Sequence, residues 1–374
     1  MSNMPQKIRV GVIFGGRSGE HEVSLVSASS VMSSLDKEKY EVIPIGIAQS
    51  GRWLSSGKAL ELLKSKNDLE LEPERFLVPE PNRQALMSVN GESDFRLDVI
   101  FPVVHGTSGE DGTLQGLLEL ANIPYVGAGV LGSALGMDKI VQKQLYEQAG
   151  LPSAKYVWFH SSEWKSNPQR VISAIERSLK YPVFTKPANT GSSVGISKAH
   201  DRKELVEYLA VAVEYDRKVI VEQGVKNVRE IECAVLGNDD PLASVPGEII
   251  PSNEFYDYDA KYVDGKSRAI IPAELPKRIV KEVRHLAAKA FTVLDLAGMA
   301  RVDFFVTQKN TIYLNEVNTI PGFTSISMYP KLWQASGISY TELLDRLISL
   351  ALERHREKNA LRTSYQPTKD WYRG

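Results

Sequence analysis

Cysteine is nearly absent from this 374-residue sequence: Cys233 stands alone, which excludes an internal disulfide and a cysteine metal cluster. Neither sign of charge prevails. Lys and Arg number 45 against 46 Asp and Glu, a formal net charge of −1. There is no basic excess to draw nucleic acid or an anionic membrane surface, so an anionic ligand must be met by locally gathered charge. Long apolar runs are also scarce near the start. Val10 to Phe14 is closed by Gly15-Gly16, too short for a signal core or a membrane span. A soluble protein in a reducing, cytoplasmic setting is the expectation. No internal repeat or low-complexity segment stands out. What is present is ordinary for a globular chain: 43% hydrophobic and 24% charged residues. That composition argues against disorder, collagen and coiled coil, and the length suits two or three domains.

Residues 8–14 (IRVGVIF) are a continuous apolar run, the pattern of a buried parallel strand. Leu25, Ala28, Val31, Met32 and Leu35 follow at helical spacing, and 41–48 (EVIPIGIA) reads as the next strand. Strand, loop, helix and strand open an α/β sheet. Residues 52–96 are polar and weakly periodic and read as an insertion. Strand character returns at 98–104 and helical character at 113–121. One helix is expected over 133–148, stopped by Gly150 and Pro152. Strands at 155–159, 181–186, 193–197 and 218–222 interleave with helices at 168–180 and 201–214. Beyond about 227, strands are expected near 229–237, 242–249, 299–306 and 311–317, with helices near 276–295 and 338–357. The polar tail after Glu357 reads as frayed.

The segment 299–318 (MARVDFFVTQKNTIYLNEVN) carries the most chemistry. Alternate side chains of a strand share a face, so Arg301, Asp303 and Phe305 form one set. Ile312, Leu314, Glu316 and Asn318 form another. With Lys309-Asn310 as a two-residue turn, Asp303 faces Glu316 and Arg301 faces Asn318. Opposed carboxylates repel unless a cation lies between them, and their oxygens suit a hard ion such as Mg²⁺. A solvated sheet face with a cross-strand ion pair is the alternative. The loop Thr319 to Ser325 offers N–H groups and hydroxyls to a carboxylate, with Arg301 as a fork, or is only a turn.

Other segments leave two readings each. Lys186 ends a strand before the small-residue loop Gly191 to Gly195, which wraps a phosphate chain or simply turns a hairpin. It is not a P-loop. Gly15 to Ser24 follows the first strand and opens a helix at the edge where α/β ligands bind. There Glu20 either caps the helix or holds an ammonium group. His105, in HGTSGEDG, is either catalytic or satisfied in its turn. Lys139 on its own reads as a solvated charge. VIVEQGVKNVREIE (219–232) is a linker or a hinge whose backbone pairs with an adenine edge. Residues 252–263 hold four aromatics, three acids and Lys261 in a loop, which suggests a flap that folds over something.

Taken in order, GGRSGEHEVS, HGTSGEDGTLQG, MDK, TKPANTGSSVG, YDYDAKY, RVDFF and NEVNTIPGFTS resemble an ATP-grasp enzyme of the D-alanine–D-alanine ligase family. The resemblance runs from about residue 8 to 350 and omits 52–96. It implies an α/β chain of three domains: an N-terminal open parallel α/β sheet (1–127), then two α+β lobes (128–226 and 227–374) enclosing ATP. It implies that Glu20, Ser192 and Tyr262 form a hydrogen-bonded set, with Glu20 on the first D-alanine's amine. Lys139, Lys186 and Lys261 would face the phosphates. Glu222, Val225 and Glu230 would serve adenine and ribose. Arg301, Gly322 and Ser327 would hold the second substrate's carboxylate, with His105 also on the substrate side. Asp303, Glu316 and Asn318 would bind two Mg²⁺ ions, or Mn²⁺. The implied reaction makes D-alanyl-D-alanine through a D-alanyl phosphate, for peptidoglycan precursors, in a cytoplasmic homodimer. Tyr262 implies a preference for alanine over lactate as second substrate. Another ATP-grasp carboxylate–amine ligase, a non-catalytic nucleotide sensor and an interaction scaffold compete with this reading. The first would keep Lys186, Asp303, Glu316 and Asn318 without needing Glu20 or the Ser192–Tyr262 pair.

Overall fold

The strand Ile8–Gly15 runs between two parallel neighbours, Tyr40–Ile47 and Val99–Pro102, in a computed structural model that describes residues 6–66, 75–81, 83–88, 95–251 and 267–365. Its continuous apolar run is explained by burial on both faces. Val10, Val12 and Phe14 enter one core, while Ile13 enters another with Ile45 and Ile100. At Gly15 the backbone turns with φ +88°, and a Cβ there would lie 2.1 Å from the Ile47 carbonyl oxygen, so glycine alone fits. The chain then enters the helix His21–Ser34.

Residues 52–96 are more than an insertion. Trp53–Leu54 extends the parallel sheet by an antiparallel edge, and Ala59–Lys64 is helical. Arg75–Leu77, Ala85–Ser88 and Phe95–Arg96 make a small antiparallel sheet, with Leu77 and Leu86 buried in the core around Ile13. Short strands of mixed polarity hide from a periodicity search.

A second sheet of four antiparallel strands has the order Ser197–Ala199, Val183–Pro187, Lys218–Gln223, Tyr156–His160. The expected strand at 193–197 is a loop up to Ile196, because Ser192 and Ser193 take positive φ. The expected helix 133–148 is two, Val130–Met137 and Lys139–Gln148. It breaks at Asp138, whose side chain leaves the helix to cap the second one at Ile140 N and Val141 N. Likewise 168–180 is preceded by a separate helix, Ser161–Ser166, and Pro168 begins Pro168–Ser178 with Asn167 as its cap.

The third sheet centres on Val228–Gly237, paired antiparallel along its length with Gly298–Thr307, which in turn pairs with Ile312–Asn318. Gly247–Ile250 and Arg268–Ile270 extend the other side. The expected strand 242–249 is interrupted, since Pro246 has no N–H for a ladder. The helix Lys277–Val293 lays Ile279, Val283, Leu286 and Phe291 on one face of this sheet, against Ile231, Cys233 and Val302. The alternate face, with Glu232, Arg301 and Asp303, is left for the cleft. The helix Met328–Ala335 was not anticipated. The last helix, Tyr340–Ala360, runs past Glu357 and places Leu343, Leu344 and Leu347 in one core with Val12 and Phe101 of the first sheet and Leu236 and Met299 of the third. The second sheet has its own core around Ile172, Leu205 and Val219 and meets the helix Lys139–Gln148 through a small cluster, Ile140, Ala188 and Ile220.

Candidate active site

The hairpin sets the centre of the cleft. Arg301 faces Asn318 and Asp303 faces Glu316, the pairing expected from a two-residue turn. The turn itself differs. Thr307 N donates to Thr311 O, and Asn310 sits at φ +61°, so three residues make the loop. A bulge at Asn315 then restores the register, because between Phe304 and the loop the pairs are Leu314, Tyr313 and Ile312. The bulge also corrects the face assignment. Ile312, Leu314 and Val317 point to the core, whereas Glu316 and Asn318 share the cleft face with Arg301 and Asp303.

Arg301 forks onto Asp303, Nε to Oδ1 at 2.8 Å and Nη2 to Oδ2 at 2.7 Å. Its Nε also lies 3.1 Å from Glu232 Oε2. Asn318 donates its amide to Asp303 Oδ2 at 3.0 Å. Among the described residues no three of His, Cys, Asp and Glu gather as a metal cage. The donor set here is two carboxylates and an amide oxygen, and such hard oxygens fit Mg²⁺ or Mn²⁺ where phosphate supplies further ligands.

On the second sheet Lys186 lies across from Ile220, and Glu222 is two residues along on the same face. Lys186 Nζ reaches Glu222 Oε2 at 2.6 Å, and Lys143 Nζ reaches Oε1 at 3.0 Å. All three are buried. Burial alone would raise the Glu222 pKa, but the ammonium groups of Lys143 and Lys186 outweigh it and bring it down to about 2. Burial alone would lower that of Lys186, and the charges of Glu222, Glu316 and Glu230 reverse this. Lys139 is not a solvated charge: it starts its helix in a buried position, and its Nζ donates to Thr190 O at 2.7 Å. Lys186, Glu222, Val225 and Glu230 line one cavity of about 680 Å³ with Asp303 and Glu316.

A second cavity, about 260 Å³, has Glu20, His105, Glu110 and Ser192 in its wall. Ser192 Oγ donates to Glu20 Oε1, joining the first βα loop to the Gly191–Gly195 loop. Gly191 makes room for that contact, since a Cβ would lie 2.3 Å from Glu20 Oε2. His105 is buried, with Nδ1 3.0 Å from Ile320 O and Nε2 3.2 Å from Ser27 Oγ. Burial holds its pKa below the ordinary value. Nδ1 thus ties the first sheet to the 319–325 loop, while Nε2 reaches Ser27 of the helix His21–Ser34, whose hydroxyl accepts from Phe323 N at 3.3 Å. In that loop Ser327 Oγ accepts from Thr324 N at 3.0 Å, and Gly322 allows the approach. Glu110 bridges the same two loops, accepting from Gly106 N at 2.7 Å and Ile320 N at 3.0 Å. Burial and the charge of Glu20 push its pKa up to about 8. Tyr262 and Lys261 lie outside the described residues. The two cavities meet, sharing Ser193, Ile196, Glu232, Ile249, Arg301 and Glu316.

Residues 9–128 match the family model for the D-ala D-ala ligase N-terminus, and residues 145–349 match that for its C-terminus. The chain belongs to the D-alanine–D-alanine ligase family. It is 53% identical over 361 residues to the D-alanine–D-alanine ligase of Caldicellulosiruptor bescii, covering 96% of this chain and 99% of that one. It is 50% identical over 362 residues to that of Natranaerobius thermophilus, with the same coverage. Among solved structures it resembles the D-alanine–D-alanine ligase from Coxiella burnetii, with TM-score 0.80, 36% identity and 94% and 97% of the two chains covered. It also resembles the VanG D-Ala:D-Ser ligase from Enterococcus faecalis, with TM-score 0.83, 38% identity and 92% and 100% covered. The chain has the ATP-grasp fold of these relatives.

Lys143, behind this ligase-family cleft, and Glu110, in its wall, escaped the sequence reading. Lys143 is four residues after Lys139, hence on the same helix face, and that spacing was the available signal. Glu232 is legible as sharing a strand face with Glu230, but its contact with Arg301 needed the pairing of the two strands. Glu110 gives no sign of its bridging role, because Ile320, its second partner besides the nearby Gly106, lies 210 residues away.

Proposed function

We propose that this chain joins two D-alanines into D-alanyl-D-alanine, converting ATP to ADP and phosphate, for peptidoglycan precursor synthesis. Family membership supports the reaction class. The observation that carries the reading is the meeting of two cavities at Arg301 and Glu316, one lined by a lysine–glutamate cluster and the other by Glu20 and Ser192. A phosphoryl group held at that junction is within reach of a carboxylate held beside it.

The carboxylate of the first D-alanine attacks the γ-phosphorus and the bond to ADP breaks, leaving a D-alanyl phosphate. The deprotonated amine of the second D-alanine attacks the acyl carbon, and the tetrahedral oxyanion collapses with loss of phosphate. Both steps gather negative charge, so positioning and electrostatics dominate. On this reading Glu20, oriented by Ser192, holds the first amine. Lys139, Lys186 and Lys261 face the phosphates, while Glu222, Val225 and Glu230 receive the nucleoside. Arg301, pinned by Asp303 and Glu232, holds the second carboxylate with the Gly322–Ser327 loop. Asp303, Glu316 and Asn318 would hold Mg²⁺, which when bound neutralises charge on the transferring phosphoryl oxygens. The family resemblance gives residues 252–263, Tyr262 among them, the task of keeping water from the acyl phosphate, and they lie outside the described residues.

Phosphate release is measured with Mg²⁺ and ATP plus D-alanine, D-serine, L-alanine or no amino acid, with products weighed by mass spectrometry. Phosphate formed with D-alanine and a D-alanyl-D-alanine mass is the expected result. D-serine enters the comparison because a similar structure is a D-Ala:D-Ser ligase. ATP turnover without dipeptide would overturn the substrate assignment. The same reading makes the enzyme a cytoplasmic homodimer, so light scattering should give twice the chain mass. It also divides the chain near residues 127 and 226; limited proteolysis should cut first near the exposed Lys226, since residues 123–128 are buried.

A further inference from the structure

Lys143 is the most deeply buried charged side chain among the described residues, 1% exposed, and it lines neither cavity. A buried ammonium is costly unless a paired charge needs it. Its paired charge is Glu222 Oε1 at 3.0 Å, on the same carboxylate whose other oxygen holds Lys186 at 2.6 Å. We propose that Lys143 is a positioning residue for nucleotide binding: by sharing the Glu222 carboxylate that Lys186 already contacts, it leaves the three groups with one net positive charge beside the cleft, where Lys186 lies. The proposal rests on the reading of the larger cavity as the nucleotide site.

Two ammonium groups share one carboxylate in a water-poor setting, and the surplus positive charge falls on Lys186, the member that lines the cavity. Glu316 and Glu230 also act on Lys186, so its charge is contested from several sides. Without Lys143 the Glu222–Lys186 pair, already in contact, would be neutral, and an arriving phosphate would meet no net positive charge from it. The helix Lys139–Gln148 thus serves the phosphate site twice, through Lys139 at its start and Lys143 one turn later.

The test is equilibrium binding of Mg²⁺·ATP without amino acid to wild type, Lys143→Met, Lys143→Arg, Lys186→Ala and the Lys143→Met/Lys186→Ala double variant. Lys143→Met should weaken binding about tenfold, and Lys143→Arg should recover to within about threefold of wild type. The KM for D-alanine should stay within about twofold, and in the Lys186→Ala background Lys143→Met should add less than about twofold. Unchanged ATP affinity in Lys143→Met, or an equal loss in both backgrounds, would overturn the proposal and leave Lys143 a purely structural residue. If Lys143→Met does not fold, Lys143→Gln, which keeps a donor but no charge, carries the same expectation. A wild type that binds no ATP would instead overturn the nucleotide reading, and this inference with it.

Discussion

Gly191→Ala separates function from stability at the Glu20 site. The added methyl would lie 2.3 Å from Glu20 Oε2 and 3.2 Å from its Cδ. Ordinary contact needs roughly 3.5 Å, so the carboxylate must retreat by about 1 Å. The obstructing atom is the end of a side chain with three rotatable bonds, so it swings away with little strain on the fold. The position of a substrate amine swings with it. A misplacement of about 1 Å costs roughly 10²-fold in rate, or about 2.7 kcal/mol of transition-state stabilisation. ADP release at saturating ATP and varied D-alanine should therefore show kcat/KM for D-alanine reduced by about two orders of magnitude. Affinity for ATP should hold, and the melting temperature should change little. A normal D-alanine dependence would refute the role given to Glu20. A large drop in melting temperature would show that the fold, not the carboxylate, absorbs the methyl.

Glu316→Gln should lower turnover by about 10²–10³-fold with the circular dichroism spectrum unchanged, because it removes charge where an anion develops; near-normal rates across a Mg²⁺ titration would dismiss the metal role. Tyr262→Phe should let D-lactate compete better with D-alanine as second substrate, and an unchanged product ratio with mixed acceptors would reject that assignment. Glu110, with a pKa raised from 4.5 to about 8 in the folded protein, binds its proton more tightly when folded. Its contribution to stability is complete below about pH 4.5 and is lost as pH rises through about 8. Thermal melts over that range should fall more steeply for wild type than for Glu110→Gln, and parallel curves would argue against it.

Legibility varied with the range of the interaction. The opening strand and helix were readable because their apolar spacing is local. The hairpin was readable where it mattered for a less comfortable reason. A three-residue loop and a bulge at Asn315 each shift the register by one, in opposite directions, so Asp303 still meets Glu316 although the assumed turn is absent. The same bulge reverses Ile312 and Leu314, which strict alternation put on the cleft face. Lys139 looked like a surface charge because nothing in one sequence shows that Asp138 breaks the helix and turns the lysine inward. The meeting of Glu20 with Ser192, 172 residues apart, came only through the family resemblance. Glu222 had that guide too, but its pairing with Lys143 did not, since a buried ion pair between a helix and a distant strand leaves no periodic trace.

The core shared by Tyr340–Ala360, the first sheet and the third has a mechanical consequence. Prising those two sheets apart would tear open one continuous apolar interior, while among the described residues the second sheet meets the rest through a small apolar cluster, Ile140, Ala188 and Ile220 with Tyr156 beside it, and through polar contacts. A rigid chassis therefore carries Glu20, Arg301 and the paired carboxylates, and the sheet bearing Lys186 and Glu222 is the part that can swing without exposing a core. The Ser192–Glu20 hydrogen bond spans that joint as a latch, so on the proposed function a swing that releases spent nucleotide would also loosen the seat of the first amino acid.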